Sequence, residues 1–166
     1  EHDKNPNCFF KAMKIISEKN IDFKLAVIGK EFKIENKCFT NARNSLKKHI
    51  VQFGHVDSFE DYAKWLWKAD ILPITSNQDF FGISIMEAVY CNTIPLLPDR
   101  LTYPELFDDD NNPQFFYHDF DDLIIKLETL IKNINNEKKT HLRGIAKQYD
   151  WKSIAKEYDE TFELLI

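Results

Sequence analysis

The order of the apolar segments constrains this chain more than any other feature. Short apolar runs alternate with longer amphipathic stretches, and few residues separate them. Residues 23–28 form a run closed by Gly29, residues 50–53 a second closed by Gly54, and residues 70–75, 94–97 and 115–117 three more. Runs of this length and composition are what buried parallel strands require. Between them the period is helical. Pro6 stands at a first helical position after Asn5, and Phe9, Phe10, Met13, Ile15 and Ile16 give an apolar face up to about Asn20. A second helix is expected near residues 39–49. A third is capped by Ser58, with Asp61 in the capping-box place and Tyr62, Trp65 and Leu66 on its face. A fourth spans residues 82–91. Beyond residue 117 the strand pattern stops, and residues 119–134, 137–147 and 151–165 read as three helices.

Strand, helix, strand, helix with short connections implies right-handed crossovers. The expected fold is α/β, a parallel sheet with helices on both faces. Ligands of such sheets bind at the carboxyl ends of the strands, so the loops after Ile28, Phe53, Thr75 and Leu97 carry the candidates. Residues 1–166 suit a single domain whose part from residue 119 is helical. Because the chain opens on a helix with no strand before it, it is expected to be a fragment of something longer.

Composition narrows the class. Hydrophobic residues at 43% and charged residues at 30% exclude a disordered chain. No apolar run approaches the roughly 20 residues that span a bilayer, and no basic segment with an apolar stretch opens the chain. A cytoplasmic protein with no membrane span is the expectation. A net charge of −5 and a pI near 5.5 argue against this chain supplying the electrostatic footprint for nucleic acid. Lys30, Lys33, Lys37, Arg43, Lys47 and Lys48 form the one dense basic stretch, read as a solvated helix face. Cys8, Cys38 and Cys91 are odd in number and widely spaced, which fits buried free thiols rather than a disulfide frame or zinc site.

Residues 75–105 hold the most chemistry. A strand passes through a loop into a helix at Gly82, where the lack of a side chain lets a ligand approach the backbone. The free amides of Ile83 and Ser84 and the helix dipole make an anion site suited to a pyrophosphate. Asp79 precedes this turn, and Glu87 lies one helical turn inside it, so both carboxylates can reach one ligand. Spacing alone favours the plainer alternative, in which Glu87 is solvated and Asp79 forms a turn.

The surrounding residues add a resemblance. Ser76, Asp79, Phe81, Gly82, Glu87, Ala88 and Cys91 stand where the retaining GT-B glycosyltransferases of the group 1 superfamily carry Ser-x-x-Glu-Gly-Phe-Gly-x-x-x-x-Glu-Ala-x-x-Cys-Gly. Ile94 to Leu97 and then Pro104-Glu105 resemble the next segments of that family. Asp3-Lys4-Asn5-Pro6 resembles the start of its donor domain, Asp70-Ile71-Leu72-Pro73 one of its strands, and residues 151–158 its closing helix. Within the superfamily, Glu1 to Pro6, Phe80-Phe81-Gly82, residues 87–91 and Arg100-Leu101-x-Tyr103-Pro104-Glu105-Leu106-Phe107 look like the tRNA-queuosine mannosyltransferase group.

The resemblance implies a Rossmann-like donor half of a hexosyltransferase, with the acceptor held by an N-terminal domain absent from this chain. Lys4 and the Ile83 and Ser84 amides would take the diphosphate of the donor, and Glu87 the ribose hydroxyls. Asp79 would stand at the transferred sugar, and Gly54, His55 and Val56 against the nucleobase. The donor implied is a nucleotide-sugar, GDP-mannose in the subfamily, with no other cofactor and no metal. The acceptor implied there is tRNA. Such a half is expected to fold but not to turn over alone.

Three positions depart from the pattern. Asp79 replaces glutamate and loses one methylene of reach. Asn92 replaces the glycine after the helix, where asparagine tolerates a left-handed backbone. Gly29-Lys30-Glu31 lacks a second glycine. Rival readings are an epimerase or phosphorylase of the same architecture, or a non-catalytic flavodoxin-like interaction domain. Asp108-Asp109-Asp110 and Asp119-Phe120-Asp121 contain Asp-x-Asp but read as a polar turn and a helix cap. Pro113 stands where a calcium loop needs glycine. His118 reads as a cap or surface pair, and Trp65, Trp67 and Trp151 as core or inter-domain packing.

Overall fold

A computed structural model describes residues 2–29, 37–108, 110–136 and 142–164. After a 3-10 turn at His2–Lys4 come α1 (Pro6–Glu18), β1 (Leu25–Ile28), α2 (Lys37–Ser45), β2 (Ile50–Gly54), α3 (Phe59–Lys68) and β3 (Ile71–Pro73). Then follow α4 (Ile83–Tyr90), β4 (Ile94–Pro98), α5 (Tyr103–Phe107), β5 (Phe116–Tyr117), α6 (Phe120–Asn133), α7 (Leu142–Lys147) and α8 (Trp151–Glu163). Every strand pair is parallel. The ladders fall into two pieces, β1–β2 and β3–β4–β5. Pro73 has no N–H to offer a further neighbour.

Apart from one added helix, α5, the element order is the expected one, and element ends differ where side chains take backbone partners. The first strand starts at Leu25 because the Phe23 carbonyl is engaged by His49 Nδ1 at 3.0 Å, and the two rings stack at 3.9 Å. The third strand stops at Pro73 although Ile74 N still donates to Leu96 O at 2.9 Å. Thr75 then gives its hydroxyl to the Lys4 and Asn5 carbonyls before α1. α5 has no signature in the apolar period, being five residues with Pro104 in its first turn.

Pairs of elements show how the sheet is covered. α1 packs on α2 and α6, and α4 packs on α3 and α7. β4 contacts both α4 and α6 and all five of its residues are buried, so the sheet is covered from two sides. Ile16, Leu46, Ile85, Val89, Leu96, Leu97, Phe107, Leu123 and Leu127 form the centre of the core. The carboxyl ends of β3 and β4 lead into the loops that build the site.

The polar residues beyond the sheet have local roles. Asp119 caps α6 by accepting from Asp122 N, and His118 pairs with Asp99 at 2.9 Å. Asp108 accepts from Asn111 in a turn, while Asp109 lies outside the described residues. Lys37, Arg43, Lys47 and Lys48 are exposed, and Lys30, Glu31 and Lys33 lie outside the described residues. None of the three cysteines is in a disulfide, and all are half-buried rather than buried. Trp67 and Trp151 are exposed and belong to no core.

Candidate functional site

The loop after β3 is held from two directions. From the N-terminal side, Thr75 Oγ1 donates to the carbonyls of Lys4 and Asn5, each at 3.1 Å. Asn77 N donates to Asp3 O at 2.7 Å, and Asn5 Nδ2 to Asn77 Oδ1 at 3.2 Å. These bonds stitch the turn before α1 to the loop. They bring Lys4 Nζ to 2.6 Å from Asp79 Oδ2 across 75 residues of sequence. From the other side comes the loop after β4. Arg100 donates to Ser76 O at 2.9 Å, Thr102 Oγ1 to Phe80 O at 3.0 Å, and the Tyr103 hydroxyl to Asp79 Oδ2 at 3.2 Å. Leu101 takes a left-handed backbone (φ 61°) at this turn, a conformation costing an L residue about 1–2 kcal/mol.

Asp79 is thus a shielded carboxylate, its side chain 13% accessible against 48% for Lys4. Burial first of all pushes the Tyr103 hydroxyl up to about 12, with the Asp79 charge adding to it while Ser76 and Arg100 oppose. It remains a proton donor through neutral pH.

The start of α4 is open. Gly82 has φ 74° and supplies no side-chain cap. A Cβ there would stand 2.9 Å from Ile85 Cδ1. The Gly82 carbonyl takes the Ile85 and Met86 amides at 2.8 and 3.1 Å. The Ile83 and Ser84 amides have no partner among the described residues, and both side chains are exposed. Such an end presents donors and positive potential to an anion. Glu87, half-buried one turn inside, accepts from the Tyr62 hydroxyl at 2.8 Å on Oε2. Burial, then this bond and the Glu87 charge, raise the Tyr62 pKa.

The loop after β2 leads into α3, the helix that carries Tyr62. Gly54 has φ 107°, and its carbonyl accepts from Gly29 N at 3.2 Å. His55 and Val56 line a groove of about 310 Å³ with Gln52, Asp57, Asp61, Lys64, Trp65 and Lys68, and neither Asp79 nor Glu87 borders it. Among the described residues, no three His, Cys, Asp or Glu side chains cluster as metal ligands.

Sequence reasoning missed Tyr62, Thr75, Arg100, Thr102 and Tyr103. In the sequence Arg100 and Tyr103 stand only within a family-like segment, and Tyr62 only on an amphipathic face. No spacing rule announces that a phenol will reach a carboxylate on another loop.

Residues 1–157 match the family described as glycosyl transferases group 1. Over 111 residues the chain is 33% identical to a tRNA-queuosine alpha-mannosyltransferase of Drosophila melanogaster, an alignment that takes in 67% of this chain and 29% of that protein. The chain therefore spans less than a third of the length of this relative. No helix among the described residues is long and apolar enough to cross a membrane.

Proposed function

Because the chain belongs to the group 1 glycosyltransferase family, whose members take a sugar from a nucleotide-sugar donor, we propose that it is the donor-binding part of a retaining hexosyltransferase. The donor we assign is GDP-mannose. The acceptor, held outside this chain, is queuosine-modified tRNA, by the likeness to the fly enzyme.

The observation that supports this reading is the meeting of Lys4 and Asp79 beside an uncapped helix start. When the glycosidic bond to the diphosphate breaks, negative charge gathers on the leaving oxygens and positive charge at the anomeric carbon. A lysine ammonium and the Ile83 and Ser84 amides act on the first, and a shielded carboxylate on the second. Groups already in place need no reorganisation as the charges develop. In this scheme Lys4 leaves Asp79 for the diphosphate as the donor enters, and Glu87, held on one oxygen by Tyr62, accepts from the ribose hydroxyls. His55 and Val56 lie at the nucleobase. No metal is needed for the leaving group.

Calorimetric titration with GDP, UDP and ADP tests the assignment. GDP is expected to bind at roughly 0.1–1 mM, about 4–5.5 kcal/mol, and Glu87→Ala to remove that binding. A preference for UDP would overturn mannose while keeping sugar transfer. Binding of none of the three would overturn the reading that this chain holds the donor unaided. The tRNA assignment is tested on the full-length enzyme by gel shift. This part carries a net charge of −5, so the affinity must come from the remainder, and retention of tRNA by this part alone would contradict it.

A further inference from the structure

Each carboxylate of the site is gripped by a tyrosine, and each by one oxygen only. Tyr103 donates to Asp79 Oδ2, which also takes the Lys4 ammonium, and Tyr62 donates to Glu87 Oε2. Among the described residues, Asp79 Oδ1 and Glu87 Oε1 have no side-chain partner. The two grips on Asp79 differ in kind. Lys4 reaches in on a long side chain that is half exposed. Tyr103 is fully buried at the head of α5, its ring enclosed by the core, so its hydroxyl cannot follow the carboxylate if that swings. Thr102 and Arg100 tie the same loop to Phe80 and Ser76 on either side of Asp79, fixing the distance between phenol and carboxylate.

We propose that Tyr103 is the positioning residue for Asp79: it holds Oδ2 while Lys4 departs, and so keeps Oδ1 presented to the sugar of the donor. A carboxylate held by Lys4 alone would lose its orientation at the moment the diphosphate draws the ammonium away. The short aspartate side chain makes a fixed anchor more important, because it cannot reach out to correct its aim. This inference rests on the assignment of Asp79 to the sugar.

The test compares GDP with GDP-mannose on the same chain, since only the second carries the group that Asp79 addresses. Tyr103→Phe keeps the buried ring. It is expected to weaken GDP-mannose about three- to tenfold while leaving GDP within twofold. Asp79→Asn should shift the ratio of the two affinities at least as far, and the double variant no further than Asp79→Asn alone. Tyr62→Phe provides the contrast: Glu87 is assigned to the ribose common to both ligands, so both should weaken in the same proportion. A merely structural role for Tyr103 would lower both affinities together and overturn the proposal. If Asp79→Asn leaves the ratio unchanged, the assignment of Asp79 itself fails. If it shifts the ratio and Tyr103→Phe does not, only the role of Tyr103 fails.

A ligand-free measurement decides the matter should neither ligand bind. In a Lys4→Ala background, the Hα–Hβ couplings of Asp79 should report one rotamer with Tyr103 and averaged rotamers with Tyr103→Phe. Equal couplings in the two proteins would overturn the role.

Discussion

Gly82 and Tyr103 show how single residues set the site. At Gly82 the left-handed backbone (φ 74°) excludes any ordinary side chain before space is considered. The near contact with Ile85 Cδ1 adds to this strain, because Ile85 is itself buried in the core. Gly82→Ala should destabilise the chain by about 1–2 kcal/mol in urea unfolding. It should also displace the start of α4, so that nucleotide affinity falls with stability. Tyr103 makes a pH prediction. Its hydroxyl ionises near 10 when free and about 12 here. A raised pKa means that the contribution to stability is whole below pH 10 and is lost as pH rises from 10 through 12. Burial raises Tyr62, Tyr117 and Tyr149 in the same direction. Phenolate absorbance of the native protein should therefore lag behind that of the urea-unfolded chain. Coincident titrations would refute the burial argument.

Among elements, α4 carries the clearest lesson about what a sequence announces. Its C-terminal end is closed by Asn92 in a left-handed conformation (φ 66°). Asn92 N donates to Val89 O at 2.9 Å and Thr93 N to Ala88 O at 3.0 Å, the paired bonds of a Schellman motif. Asparagine in place of glycine was readable in advance as a tolerated substitution, because the requirement is local. Asn92→Ala is expected to cost about 1 kcal/mol and Asn92→Gly to be neutral or stabilising, as thermal melts would report. Element order was legible for the same reason: apolar period is written along the chain. Elements whose ends depend on a remote partner were not. Nothing near Phe23 says that His49 will take its carbonyl, and α5 is too short to show a period. The site divides likewise. Gly82, Ile83, Ser84 and Glu87 form one local stretch and could be read together. The pairing of Lys4 with Asp79, and the phenols behind both carboxylates, arise only when the topology brings distant loops to one edge.

For the whole molecule, the balance is between a closed core and an unburied tail. Glu128 on α6 bridges Lys19, just after α1, and Lys132, each at 2.5 Å. Chiefly through the Lys132 bond, its pKa falls from 4.5 to about 2. A lowered carboxylate contributes stability above pH 4.5 that is lost as pH falls toward 2. Glu128→Gln should flatten the acid limb by lowering stability modestly at neutral pH, where the pairing is present, and leave unfolding near pH 2 little changed. α8 takes no part in this balance. None of its described residues is buried, and Trp151, Tyr158 and Phe162 are 66%, 51% and 60% exposed. Their rings run along one side with centroids 5.9 and 6.4 Å apart. α7, by contrast, inserts the fully buried Leu142 next to α4. The described residues of α8 bury little apolar area, and deleting residues 151–166 should shift the melting temperature by less than about 2 °C. Leu142→Ala opens a cavity and should cost about 2–5 kcal/mol. If the deletion proves as damaging as the cavity, the boundary of the cooperative unit lies beyond α7, and the exposed aromatic strip of α8 contributes to stability in spite of its exposure.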